Sequence, residues 1–391
     1  MTEFAPRPLR VAWVHGTDLR PYRIPFLHRL GLRDDVDVTL YHGNAKRGIG
    51  APSHPLDIAD TGISSRLVRN RFWPFGGHRV VWQSGALETV GRRYDVVVVP
   101  EIIHNVTVWL IVLFRSLVGR PVVLFGFGYR PPSSSLGSRL RDWARGLLLR
   151  RADSVLSYTE RGRSDCLKHG IDPSRLFVLQ NTVDTEHLRD VASVVDPSVV
   201  RDARDRYSPG LVIAFLGRLV REKHTDVLID AVSMLGSRHV EAALLIIGDG
   251  PQRDALERRA SGLDNVHFLG PVYDETELAR LLLASDVLTI PGRIGLTCVH
   301  GFSYSLPALT TSEAVVEQSP EYDYLEDGVN CLIFPELDAA LYATALERLA
   351  RDKAELEELR RGATRSGDAL TMSHMVEEWA RAVSSANRRR R

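Results

Sequence analysis

Short runs of consecutive apolar residues, each followed by an amphipathic stretch, recur along this chain and leave few folds open to it. Residues 10–15 read as a first strand and 36–41 as a second, and 95–99 and 122–125 follow as runs of Val, Leu and Phe. Unbroken apolar runs suit strands covered on both faces, and strands spaced by helical stretches suit a parallel sheet. Residues 154–158 and 176–180 complete this set. A second set begins at 211–216 and continues through 243–247, 287–290 and 306–310. Within it, Val227, Leu228, Ala231, Val232 and Leu235 share one face of a helix. Pro251 opens another helix, and Asp274 with Glu277 makes a capping-box-like start to a third.

At 391 residues the chain exceeds one ordinary core. The expected division is a first lobe over 1–190, a linker over 191–210, a second lobe over 211–370, and a C-terminal helix and basic tail over 371–391 returning toward the first lobe. The linker is placed where no strand pattern shows and a Pro-Gly turn ends the segment. The fold class expected is α/β, with two doubly wound Rossmann-like lobes facing a central cleft at their strand carboxyl ends, where open parallel sheets bind ligands.

A hydrophobic fraction of 44%, a charged fraction of 25% and a net charge of +1 fit a soluble globular protein with no global field for nucleic acid. Cys166, Cys298 and Cys331 stand far apart and form neither a metal-ligand pair nor a disulfide framework, so a cytoplasmic protein with no metal site is expected. The N-terminus lacks the apolar core of a signal peptide. The most apolar stretch, 106–114, is closed by Arg115 and falls far short of the roughly 20 residues that span a bilayer.

The sharpest chemical signal is Gly217-Arg218-Leu219, with Glu222-Lys223 four residues on, at the end of the second lobe's first strand. Glycine lets a ligand approach the backbone, and Arg and Lys beside a helix start supply cationic donors for phosphate. Two fixed cations there could meet the charge that builds on a leaving diphosphate. Downstream lie IIGDGPQRDALE, then NVHFLGPVYDETELARLLLASDVLTIPG, then GLTCVHGFSYSLPALT and LEDGVNCLIF.

In order and spacing these segments resemble glycosyltransferase family 4, the retaining enzymes of GT-B architecture. The resemblance runs almost continuously from 211 to 334, and LQNTVDTEHL in the first lobe looks like the family's N-G-V-D segment. It implies a donor-binding second lobe, an acceptor-binding first lobe, and a nucleotide-sugar as co-substrate without a cofactor. By position, it puts Arg218 and Lys223 on the diphosphate-binding pair, following Gly217. It puts Gly270 to Val272 at the nucleobase, and Gly295-Leu296-Thr297 where backbone amides approach the donor's sugar and phosphate. His300 falls on the family's ribose-binding glutamate. Gly248 to Gly250 reads better as a tight structural turn than as a ligand loop.

The chain also departs from that pattern. The Glu-x7-Glu acids should stand at Gly292 and His300, and neither position is acidic. The first-lobe loop that commonly presents a histidine reads Gly126-Phe127-Gly128, and Phe127 cannot shuttle a proton. These losses motivate a rival reading, a non-catalytic nucleotide-sugar-binding or partner-activating protein; the retained Arg218 and Lys223 favour the enzyme. Acceptor-side candidates come from first-lobe strand ends: His15-Gly16, Tyr22 and Arg23, Glu101 and His104, and Gly126 with Gly128. Finally, Arg139, Arg141, Arg145, Arg150 and Arg151 stand beside Leu140, Trp143, Leu147 and Leu148 in 138–151. Such a helix could lie on an anionic membrane, placing the protein at the inner face with a glycan or lipid-linked acceptor, or could pack its apolar side on its own sheet.

Overall fold

A computed structural model describes residues 7–15, 19–43, 58–75, 78–126, 136–208, 210–312 and 318–390. The chain divides into two compact units, 1–181 with 372–391, and 182–371.

The first unit is built on a seven-stranded sheet. Its elements are β1 (Leu9–Val14), α1 (Ile24–Gly31), β2 (Val36–Gly43), β3 (Ser64–Val68), a hairpin of β4 (Asn70–Phe75) and β5 (His78–Gln83), β6 (Val96–Pro100), α2 (Val106–Leu117), β7 (Val122–Gly126), α3 (Leu136–Arg151), β8 (Ser154–Ser157), α4 (Glu160–Lys168) and β9 (Leu176–Val178). The sheet order is β3-β2-β1-β6-β7-β8-β9, all parallel. Successive residues of a strand point to opposite faces, and both faces here are buried. Trp13, Val98 and Phe125 pack toward Phe26 of α1, while Val14, Val97 and Leu124 pack toward Ile111 of α2 and Leu148 of α3.

The second unit follows with α5 (Thr185–Ser193), α6 (Pro197–Tyr207), β10 (Leu211–Leu216), α7 (Thr225–Ser237), β11 (Ala242–Ile247), α8 (Arg253–Arg259), β12 (Val266–Gly270), α9 (Glu275–Leu283), β13 (Val287–Thr289), α10 (Thr297–Ser303), β14 (Ala308–Thr311), β15 (Cys331–Phe334), α11 (Ala339–Arg351) and α12 (Lys353–Ala369). Its six strands are ordered β12-β11-β10-β13-β14-β15, again all parallel. The last helix, α13 (Met372–Arg389), packs in the first unit, where Trp379 meets Trp13 at 5.9 Å between rings.

The segment expected as a linker is helical instead. Asp184 caps α5 by accepting from His187 N, and Asp196 caps α6 with Pro197 behind it at the first turn. Acidic caps and a first-turn proline favour helix starts. Both helices belong to the second unit, and the division falls at 181/182. Among the described residues, no helix is long and apolar enough to cross a membrane.

Strand order reverses in each sheet at one place: between β1 and β6 in the first unit, and between β10 and β13 in the second. Loops leaving the carboxyl ends of such a pair diverge to opposite faces and open a crevice for ligand.

Candidate functional site

In the second unit the loops after β10, β11 and β12 are stitched together by their backbones. Gly217 N donates to Ile247 O at 3.0 Å, Leu219 N to Asp249 O at 3.0 Å, and Gly248 N to Gly270 O at 2.8 Å. A Cβ on Gly248 would stand 1.9 Å from Gly217 O, and one on Gly250 2.4 Å from Leu219 O. Glycine at 248 and 250 is therefore a packing requirement. Gly270 has φ +72, a left-handed conformation suited to glycine, and sits beside a register shift between β11 and β12. Val272 follows it, half-buried.

Arg218 is exposed on the loop after β10, and no described residue bonds its guanidinium. Lys223, by contrast, is not exposed. It ends a 3-10 turn over Arg221–Lys223, and its ammonium donates to the carbonyl oxygens of Arg293 at 2.5 Å and Ile294 at 3.3 Å. The contact is reciprocal, since Gly292 N donates to Lys223 O and Arg293 N to Glu222 O. Lys223 thus joins the loop after β10 to the loop after β13, across the switch point of the sheet. Burial, and then the nearby Arg293 charge, lower the lysine pKa to about 8.

The same zipper accounts for one departure from the family pattern. A Cβ on Gly292 would lie 2.0 Å from Glu222 O, so this loop has no room for a glutamate at 292. Residue 318, which carried no recognisable sequence pattern, completes the latch. Gln318 accepts from Ile294 N at 3.1 Å and donates to Gly292 O and Thr311 O. Gly295 turns at φ +62, and Leu296 and Thr297 open α10, all half-buried. His300 lies on α10, with its pKa lowered to about 4 by burial against a weaker opposing pull from Glu275. Glu275 is itself bonded to His187, Oε2 to Nε2 at 2.6 Å.

In the first unit, His15, Tyr22 and Arg23 come together. Arg23 is buried, donates to Tyr158 Oη at 2.9 Å, and lies beneath the Tyr22 ring at 5.2 Å. His15 follows β1; burial, then Arg23 and His42, lower its pKa to about 3. Glu101 follows β6, the other strand at the switch point, but it is not presented to solvent. It pairs with the buried Arg145 of α3, which also donates to Asp165 Oδ2 at 2.6 Å. Gly126 closes over this pair, since a Cβ there would be 2.7 Å from Glu101 Cβ. His104 is exposed at the turn before α2. Gly16, Phe127 and Gly128 lie outside the described residues.

Helix α3 also differs from a uniformly basic amphipath. Arg145, Leu148 and Leu149 are buried, while Leu136, Leu140 and Trp143 face solvent with Arg139 among them.

Comparison with known proteins bears on the family and the fold. The model of the glycosyl transferase 4-like domain matches residues 12–182, and that of the glycosyl transferases group 1 matches 210–352. The GDP-mannose-dependent alpha-(1-6)-phosphatidylinositol dimannoside mannosyltransferase of Mycobacterium tuberculosis is 32% identical over 178 residues, 45% of this chain and 42% of that one. The alpha-D-kanosaminyltransferase of Streptomyces kanamyceticus is 25% identical over 263 residues, 63% of this chain and 65% of that one. The chain thus spans less than two thirds of the length of each of these curated relatives. Among solved structures, Anabaena HepE in complex with UDP superposes with a TM-score of 0.70 at 16% identity, covering 96% of this chain and 100% of that one. Sucrose-phosphate synthase from Thermosynechococcus elongatus superposes with a TM-score of 0.64 at 14% identity, covering 95% and 97%. With one domain model on each unit and the GT-B fold shared with these structures, the chain belongs to the group 1, family 4-like glycosyltransferases.

Proposed function

We propose that the chain is a retaining glycosyltransferase that takes a sugar from a nucleotide-sugar donor bound by the second unit and passes it to a glycan, lipid-linked or small-molecule acceptor. The observation that carries this reading is Lys223, fixed by two carbonyl oxygens at the junction of the loops after β10 and β13. An ammonium has three donors, and two are committed. The third, with the unpaired Arg218, can meet the negative charge that grows on the departing diphosphate. Preorganised cations of this kind act most strongly where charge develops in the transition state. In this role no enzyme nucleophile is required, so the absence of acids at 292 and 300 does not preclude transfer.

The mycobacterial relative is named for GDP-mannose and the HepE structure holds UDP, so GDP- and UDP-sugars are the first donors to test. A thermal-shift screen of nucleoside diphosphates identifies the base, because a native-state ligand raises stability. Product NMR with the matching donor then reads transfer and anomeric configuration. Donor binding without release of nucleoside diphosphate, across glycan, lipid and small-molecule acceptors, would instead support the non-catalytic reading.

We infer, further, that the outer face of α3 rests on an anionic lipid surface, at the inner face of the cell membrane. Leu136, Leu140 and Trp143 recur at helical spacing and are 81%, 65% and 60% exposed, with Arg139 between them and Arg150 and Arg151 at the helix end. Apolar side chains with flanking cations suit such a surface. Vesicles containing phosphatidylglycerol should sediment wild type but not L140S/W143S, and equal sedimentation of both would reject the placement.

A further inference from the structure

Three arginines are buried among the described residues, and two have a partner on every guanidinium nitrogen. Arg115 donates to the carbonyl oxygens of Thr89, Gly91, Tyr94, Asp95 and Pro121. Arg145 is paired with Glu101 and Asp165. Among the described residues the third, Arg23, has neither a carboxylate nor a carbonyl partner. Only 2% exposed, it bonds one hydroxyl, Tyr158 Oη, and approaches one thioether, Met375 Sδ, at 3.9 Å. Its other neighbours are ring faces: Tyr22 at 5.2 Å, Tyr158 at 5.5 Å and Phe125 at 5.6 Å. Its Nε is buried with no partner.

Aromatic faces attract a guanidinium but do not replace its hydrogen bonds. A buried charge left without a counter-charge is costly, and natural proteins pair such groups. The nearby His15 repeats the pattern, with its Nδ1 buried and unpartnered at the carboxyl end of β1. These unmet polar atoms therefore gather beside the switch point of the first sheet. An oxyanion would satisfy the guanidinium in the geometry arginine favours, two parallel N–H donors to two oxygens. A neutral imidazole can add one donor of its own. Tyr22, itself 40% exposed, lies over the guanidinium on its outer side.

We propose that Arg23, with His15 beside it, binds the phosphate group of the acceptor. This rests on the transferase reading above and names the acceptor's chemical class, a phosphate ester. All its residues belong to the first unit, whereas Arg218 and Lys223 belong to the second.

The test uses the full chain carrying R218A and K223A, which silences the donor-side cations. Calorimetric titration with inorganic phosphate should show one site, and glycerol 1-phosphate should compete while glycerol does not. Adding R23Q should weaken phosphate binding by roughly 10- to 100-fold, the usual loss for a charged hydrogen-bond partner, and R23K should retain part of it. Should R23Q fold poorly, wild type labelled with nitrogen-15 reports directly, because the Arg23 Nε–H resonance should move on phosphate addition. Stronger competition by micellar phosphatidylglycerol than by glycerol 1-phosphate assigns the phosphate to a lipid headgroup; the reverse assigns it to a soluble ester. Unchanged affinity in R23Q, or no binding and no Nε–H shift at millimolar phosphate, would overturn the proposal. Nucleoside diphosphate binding by the single R23Q variant stays intact in every case where only this inference fails, which separates it from failure of the transferase reading.

Discussion

The ammonium of Lys223 and the carbonyl oxygen of Arg293 stand 2.5 Å apart, one of the hydrogen bonds that tie together the two loops flanking the switch point of the second sheet. In the proposed function Lys223 has two duties, holding the loop and facing the ligand, whereas the exposed Arg218 has only the second. Either alanine substitution should lower turnover by roughly a hundredfold or more, as for other lost electrostatic donors. Only K223A should also lower the melting temperature. Paired kinetic and thermal measurements check this, and wild-type turnover in R218A would remove that residue from the site.

Because the Lys223 pKa is lowered to about 8, its charge is present below that value and lost above it. The free enzyme's kcat/KM should therefore fall as pH rises through about 8. In K223R the guanidinium remains charged, and that limb should flatten. A wild-type profile that stays level from pH 7 to 9.5 would leave the lysine charge without a part in turnover.

Gly292 gives the sharpest steric test. A Cβ there meets Glu222 O at 2.0 Å, so G292A should destabilise the fold by about 1–3 kcal/mol, as overpacking does. G292E should not recover the family's acid; it should open the loop and weaken donor binding. Tighter nucleotide binding in G292E would mean that the loop yields more readily than its backbone hydrogen bonds imply.

How far the residues announced this structure depended on what each segment had to satisfy. Strands β6, β7, β10 and β11 were legible because burial on both faces requires the unbroken apolar runs they carry, and β1 and β2 from apolar runs broken by Arg10, Asp37 and Thr39. The β4–β5 hairpin was not, because NRFWPF mixes Arg and Pro with aromatics and lies outside the parallel sheet. Helix α6 was passed over as linker, and most of α5 was placed in the first lobe, although Asp184, Asp196 and Pro197 are start signals; their short polar turns hid the apolar stripe. At the site, Gly217, Arg218 and Lys223 were legible from local spacing. The latch by Gln318 and the burial of Glu101 against Arg145 were not, since both depend on contacts between residues distant in sequence.

If Arg218 and Lys223 meet the diphosphate charge, no divalent cation is needed for that purpose. Turnover should survive excess EDTA. Loss on chelation, recovered with magnesium or manganese, would transfer the role from the two side chains to a metal.

An unperturbed imidazole at position 300 would titrate near 6.5, and donor affinity would fade as pH fell through that range. Its burial moves that expectation. Folded His300 takes up its proton only near pH 4, whereas the unfolded chain does so near 6.5. Between those values the unfolded state binds more protons, so the stability contributed by the neutral ring is complete above about 6.5 and declines as pH falls toward 4. His15, lowered to about 3, adds to the same acid-side loss and extends it further. Melting temperature should thus be level from pH 8 to 7 and drop between 6.5 and 4, with a shallower drop in H300Q, which has no ring to protonate. Donor affinity should shift between pH 7 and pH 6 no more in wild type than in H300Q, because the ring stays neutral at both and Lys223 stays charged. Calorimetric titration of the nucleoside diphosphate at these two pH values checks the second half. A wild-type affinity that collapses between pH 7 and 6, and is rescued in H300Q, would show that bound His300 is protonated there and that burial does not hold the ring neutral.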